Sequence, residues 1–206
     1  MKDLVNKYKT LFQQYDVDTP IRLAHFFGQA DHESGVKPRV ENLNYSVDGL
    51  IKGFGRHRIT EVDARAFGRT LKQRANQQQI ANRIYGGVWG RTNLGNTQPN
   101  DGWNFRGAGI FQLTGRTNFQ RLTNVTKIDY ITNPQWLQRE ADSIIAALWF
   151  WQDRKLNQFA DNDDVLSVSK IINLGNANHK GTPKGLQDRI NKTKLYEKVF
   201  SDFSFD

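Results

Sequence analysis

A mainly helical single domain, folded around a cleft and carrying at most a small β element, is what this chain of 206 residues predicts. Three observations lead to that reading. Apolar residues recur at helical spacing through most of the chain, giving about eight to ten helices. Extended structure is confined to short pieces such as Ile110-Phe111-Gln112-Leu113-Thr114. One long glycine-rich stretch, residues 86–109, interrupts the helices and holds seven Gly and two Trp. Loops of that length inside a compact domain are uncommon and tend to be functional.

The elements follow in order. Leu4, Val5, Tyr8, Leu11, Phe12 and Tyr15 make an amphipathic stripe over residues 2–16. Asp18 or Thr19 caps the next helix and Pro20 takes its first position. Its apolar residues exceed one stripe, so it is predicted to be central and to run to about Glu33, where Gly35 and Pro38 end it. Ser46 opens a short helix closed by Gly53 and Gly55, and Thr60 opens another, with Asp63 at its third position. Residues 76–85 form a further helix with Ile80, Ala81, Ile84 and Tyr85 toward the core. A helix is expected from about 115 to 123, and Asn133-Pro134 opens a helical region. Residues 139–153 read as the strongest helix, its aromatic run serving the core. Asp163 or Asp164 starts a helix through Ile172, which Asn173-Leu174-Gly175-Asn176 breaks. A basic amphipathic helix spans about Pro183 to Phe200.

Length and composition suit one domain over residues 1–206, with 37% hydrophobic residues, five Trp and 13 Phe to build a core. No apolar run approaches the roughly 18 residues of a membrane span. The first residues show no signal-peptide pattern, so synthesis in a cytoplasm is expected. The absence of Cys removes disulfides and thiolate metal sites and fits a reducing compartment. Lys and Arg outnumber Asp and Glu by 29 to 21, a net charge of +8 that favours a polyanionic partner. Neither a zinc-finger spacing nor an RNA-binding aromatic signature occurs, so nucleic acid is not the expected partner. His32-Glu33 begins a zinc-protease pattern, but position 36 is Val. His25, His57 and His179 lack ligand spacing, so no metal and no cofactor is expected.

Two acids are the candidate chemistry. Glu33 lies at the end of the apolar helix, within Ala30-Asp31-His32-Glu33-Ser34-Gly35; Glu41 follows on a loop or short strand, within Glu41-Asn42-Leu43-Asn44-Tyr45-Ser46. Hydrolysis of a sugar–sugar bond needs such a pair, one to protonate the leaving oxygen and one to activate water. The apolar helix end is expected to raise the pKa of Glu33, and the Asn-rich stretch to keep Glu41 solvated and ionised. Spacing alone equally describes a helix-end acid beside surface bases.

The wider pattern resembles the family 19 glycoside hydrolases, in their endolysin-like branch. The resemblance rests on the two acidic motifs, on Ile80-Ala81-Asn82-Arg83-Ile84-Tyr85, and on the segment Asp101-Gly102-Trp103-Asn104-Phe105-Arg106-Gly107-Ala108-Gly109-Ile110-Phe111-Gln112-Leu113-Thr114-Gly115-Arg116. Ile171-Ile172-Asn173-Leu174-Gly175, with Asp188-Arg189, continues it, and it spans roughly residues 20–195. It implies a lysozyme-like or chitinase-like fold and inversion at the anomeric carbon, with Glu33 as general acid and Glu41 as general base. In an inverting pair the carboxyls stand about 6.5–9.5 Å apart. Thr114 would help hold the water, Gln112 and Asn118 would bind an N-acetyl sugar or orient the base, and Asn173 and Arg189 would line the cleft or hold the acid network. Tyr45 belongs to the substrate-binding set by the same resemblance. Trp103 reads as a stacking platform for a pyranose or as a core anchor, and the alternative for Gln112 and Thr114 is that they are buried polar ties.

The implied activity is cleavage of β-1,4 bonds in peptidoglycan by a monomer that acts on the cell wall after release from the cytoplasm. A chitinase, a lytic transglycosylase and a non-catalytic wall-binding module are the alternatives. Retention of both acids speaks against the last.

Overall fold

A computed structural model describes residues 1–205. The chain is mainly helical, with thirteen α-helices among the described residues, one 3-10 helix and a single two-stranded sheet. The excess over the expected helix count comes from pieces too short to show a period. Asp101–Asn104 and Asn157–Ala160 are four residues each, and Gly87–Leu94 is eight. Two of these lie within residues 86–109, which are therefore not one irregular stretch. The helix expected over 2–16 is two, Lys2–Lys7 and Lys9–Gln14, broken at Tyr8. There the Tyr8 hydroxyl donates to Glu140 at 2.8 Å, and tertiary pairing overrides the local stripe. No helix among the described residues is long and apolar enough to cross a membrane.

The chain divides into two compact units. The first joins Met1–Pro38 to the chain from Glu140 onward. Its axis is the Pro20–Ser34 helix, packed along the Leu186–Phe200 helix. Gly28 makes that contact possible: a Cβ there would lie 2.5 Å from Thr193 Oγ1 and 2.8 Å from the Thr193 backbone. Phe12, Phe26, Phe27 and Phe200 pack beside it, stacked or edge to face, with neighbouring ring centroids 5.3–5.8 Å apart. Glu140–Asp153 buries Ile144, Ala147, Leu148, Trp149 and Trp151, so its aromatic run serves the core as predicted.

The second unit is Arg39–Arg139. Its core gathers Leu43, Leu50, Ile59, Ala64, Ile80, Ala81 and Ile84, with Tyr45, Tyr85 and Trp103 packed partly against it. Arg39–Val40 pairs antiparallel with Ala108–Gly109, with Arg39 opposite Gly109 and Val40 opposite Ala108. The segment 110–114 is a turn, not the expected strand: Gln112 sits at φ 51° and Leu113 bridges back to Ala108. Asp101 ties the segment together. Its buried carboxylate accepts from Arg116 at 2.7 and 2.8 Å and from the N–H groups of Thr97 and Gln98. Burial raises its pKa, but these donors outweigh burial and leave it below the usual range.

Candidate active site

Glu33 is positioned by a helix whose limits are locally encoded. Thr19 Oγ1 accepts the N–H of Arg22, Pro20 occupies the first turn, and Gly35 closes the helix at φ 68°. Val36 follows at φ 56°, a costly backbone for a β-branched residue. The apolar setting expected for Glu33 is not what its carboxylate meets. Arg189 Nη2 donates to Glu33 Oε1, and the same guanidinium donates to Gln29 at 2.6 Å and to the Lys184 carbonyl at 3.0 Å. Gln29 in turn donates to Ser169 at 3.0 Å. Arg189 is 1% exposed, so every nitrogen of this network needs the acceptor it has. Asn173 lies in the last turn of Val165–Leu174, where its side chain accepts the Lys184 N–H at 2.9 Å. It thus helps hold the loop from which the Lys184 carbonyl meets Arg189.

Glu41 is positioned by the small sheet. Its N–H donates to Gly107 O at 2.8 Å, extending the Arg39–Val40 pairing by one residue, and Gly107 N–H faces its carboxylate at 3.4 Å. The Tyr85 hydroxyl lies 2.7 and 2.9 Å from the two carboxylate oxygens. Burial pushes the Glu41 carboxyl above its ordinary pKa, while Tyr85, the Gly107 N–H, Arg106 and Arg58 pull it back. The expected solvated setting is therefore corrected: the aromatic core of the second unit reaches this carboxyl. Tyr85 itself is pushed up by burial, then by the Glu41 charge and bond. Tyr45 is raised by burial and by the same charge.

The other predicted residues of the second unit form a chain beside this strand. Gln112 Nε2 donates to the carbonyls of Arg39 and Gly109 at 3.0 and 2.9 Å, clamping both strands. Gly107 leaves room for it: a Cβ there would lie 2.9 Å from Gln112 Oε1. Thr114 Oγ1 donates to Gln112 O at 2.9 Å, and Asn118 Nδ2 donates to Thr114 O at 2.8 Å. Trp103 has one ring face covered by the Arg106 guanidinium at 3.5 Å. Both line a cavity of about 180 Å³ with Val40, Asn104, Gln135 and Gln138.

The nine predicted residues thus fall into two groups. Glu33, Asn173 and Arg189 belong to the first unit; Glu41, Tyr45, Trp103, Gln112, Thr114 and Asn118 belong to the second. Sequence reasoning missed Tyr85 as a polar residue, although its motif was recognised, because helical spacing assigned it to the core. It also missed Arg58, whose guanidinium lies 3.9 Å over Trp89 and 5.4 Å over Tyr85. Its sequence neighbours, Arg56-His57 and Ile59-Thr60, gave no signal for that role.

No family profile matches the chain. It is 32% identical over 163 residues to a glycosyl hydrolase family 19 domain-containing protein of Haemophilus influenzae, covering 74% of this chain and 70% of that protein. The crystal structure of a chitinase C mutant matches 98% of this chain and 85% of its own, with a TM-score of 0.56 at 16% identity. At that identity the likeness is one of fold, a mainly helical one.

Proposed function

The chain belongs to glycosyl hydrolase family 19 and is a glycosidase, and on that premise we propose that it hydrolyses the β-1,4 bonds of peptidoglycan with Glu33 as general acid and Glu41 as general base. The supporting observation is that Glu41 has the donors a general base needs, the Tyr85 hydroxyl and the Gly107 N–H, while Arg189 fixes the position of the Glu33 carboxyl. In this mechanism Glu33 passes its proton to the leaving glycosidic oxygen as the C–O bond breaks. Glu41 takes a proton from a water whose oxygen bonds to the anomeric carbon from the opposite face, inverting it. Glu33 then carries the negative charge, and the Arg189 guanidinium stabilises that charge as it develops. Glu41, made more basic by burial, is better matched to abstract a proton from water near neutral pH. Thr114 spends its proton on Gln112 O, which leaves its oxygen lone pairs for an O–H of that water.

Peptidoglycan rather than chitin is favoured by the net charge of +8 against an anionic wall and by the endolysin-like motifs. In this reading the protein is an endolysin, a monomer made in a host cytoplasm and acting on the wall after release. Mass spectrometry of products from purified peptidoglycan and from chitin oligomers tests it. Hydrolysed fragments with reducing ends from peptidoglycan, absent with Glu33→Gln, are the expected result. A 1,6-anhydro product would replace it with a transglycosylase, and turnover of chitin oligomers alone with a chitinase.

A further inference from the structure

The first unit holds a second group of polar side chains, away from the acid. His25, Asp163 and Glu197 each offer one ligand atom, and the three atoms lie within 4.8 Å of one another. They come from three elements: the Pro20–Ser34 helix, the turn before the Val165–Leu174 helix, and the Leu186–Phe200 helix. We propose that His25, Asp163 and Glu197 form a binding site for a divalent cation of the zinc or manganese class.

Four features support it. His25 is fully buried, and its Nε2 is 2.9 Å from Asp163 Oδ1, so the imidazole is already turned to the carboxylates. Two carboxylates held this close repel each other. Yet among the described residues no Lys or Arg pairs with either, in a chain carrying 29 such residues; Arg22 is engaged by Asp161 at 2.7 Å. Asp163 takes a left-handed backbone, φ 53°, at the turn that presents its carboxylate. Finally, a cavity of about 330 Å³ lined by Pro20, Ile21, Asp163 and Glu197 adjoins the donors, with room for waters to complete the coordination.

One imidazole and two carboxylates suit Zn²⁺ or Mn²⁺ better than Mg²⁺ or Ca²⁺, which prefer all-oxygen sites. Nδ1 of His25 has no hydrogen-bond partner, so no acceptor reinforces the ring as a ligand. Binding is accordingly weaker than at sites with that support. His25 lies roughly 12 Å along the helix from Glu33, at 1.5 Å per residue. The cation therefore clamps three elements and takes no part in bond cleavage.

The test uses untagged full-length protein stripped with a chelator and dialysed. Calorimetric titration with Zn²⁺ alone, then Mn²⁺, should show one saturable site, with Mg²⁺ binding far more weakly. Asp163→Asn and Glu197→Gln, at accessible carboxylates, should each weaken Zn²⁺ binding by about tenfold or more. They should also remove a Zn²⁺-dependent rise in melting temperature, while leaving metal-free melting and wall turnover unchanged. Absence of saturable Zn²⁺ and Mn²⁺ binding, or binding by both variants equal to that of the parent, would overturn the site and leave the proposed hydrolase activity standing.

Discussion

The Tyr85 hydroxyl sits between both oxygens of the Glu41 carboxylate, 2.7 Å from one and 2.9 Å from the other. A donor shared this way favours the ionised acid, the form a general base needs. It opposes the burial that raises the Glu41 pKa. Tyr85→Phe keeps the ring in its packing and removes only the hydroxyl. Glu41 should then titrate higher, moving the acid limb of the pH–rate profile of peptidoglycan hydrolysis to higher pH. A limb that stays in place would show that it reports another group.

Glu41→Gln should cut turnover by about 10²–10⁴-fold, the usual worth of a general base. Its effect on stability has the opposite sign. A carboxyl whose pKa is raised by folding costs stability wherever it is ionised. The amide removes that cost, so the variant should melt no lower than the parent near neutral pH. Any gain should shrink as pH falls through the raised pKa and vanish below the ordinary carboxylate range. Melting curves across pH, with turnover measured alongside, separate the two effects.

Arg189→Ala leaves Gln29, the Lys184 carbonyl and Glu33 without their buried donor. A loss of about 3–5 kcal/mol in denaturant unfolding is expected. Arg189→Lys should recover little of it, because an ammonium does not span three acceptors set for a planar guanidinium. Full recovery with Lys would mean that charge alone matters here.

Gly28→Ala tests how the acid-bearing helix is seated. The new Cβ would press on Thr193 Oγ1 and its backbone, costing about 1–3 kcal/mol. Adding Thr193→Ala should restore only part, since the backbone contact at 2.8 Å remains. Urea midpoints of the single and double variants measure both.

Thr114→Val removes the hydroxyl proposed to hold water and its bond to Gln112 O. Stability should fall by about 0.5–1.5 kcal/mol, and kcat should fall more than KM rises. Unchanged turnover would leave Thr114 only as a tie for the turn.

What could be read from the chain by itself is what short range encodes. The Pro20–Ser34 helix was legible because Thr19, Pro20 and Gly35 sit at its own ends, and each acts through its neighbours' N–H and C=O groups. The wide apolar face of Glu140–Asp153 and the small β content were legible for the same reason. The surroundings of the acids were not. Glu33 sits in an apolar sequence, but its partner Arg189 is 156 residues away. Glu41 sits in a polar sequence, but Tyr85 and Gly107 reach it from 44 and 66 residues away. Ile110 to Thr114 reads as a short extended segment, but Gln112 turns at φ 51° and clamps the strand carbonyls. Opening and closing residues of an element act over one turn of backbone, so sequence determines them. A carboxyl's electrostatics depend on whatever the chain folds against it, and only the tertiary structure decided that the polar-looking acid is the one pushed up by burial and the apolar-looking one is held by a guanidinium.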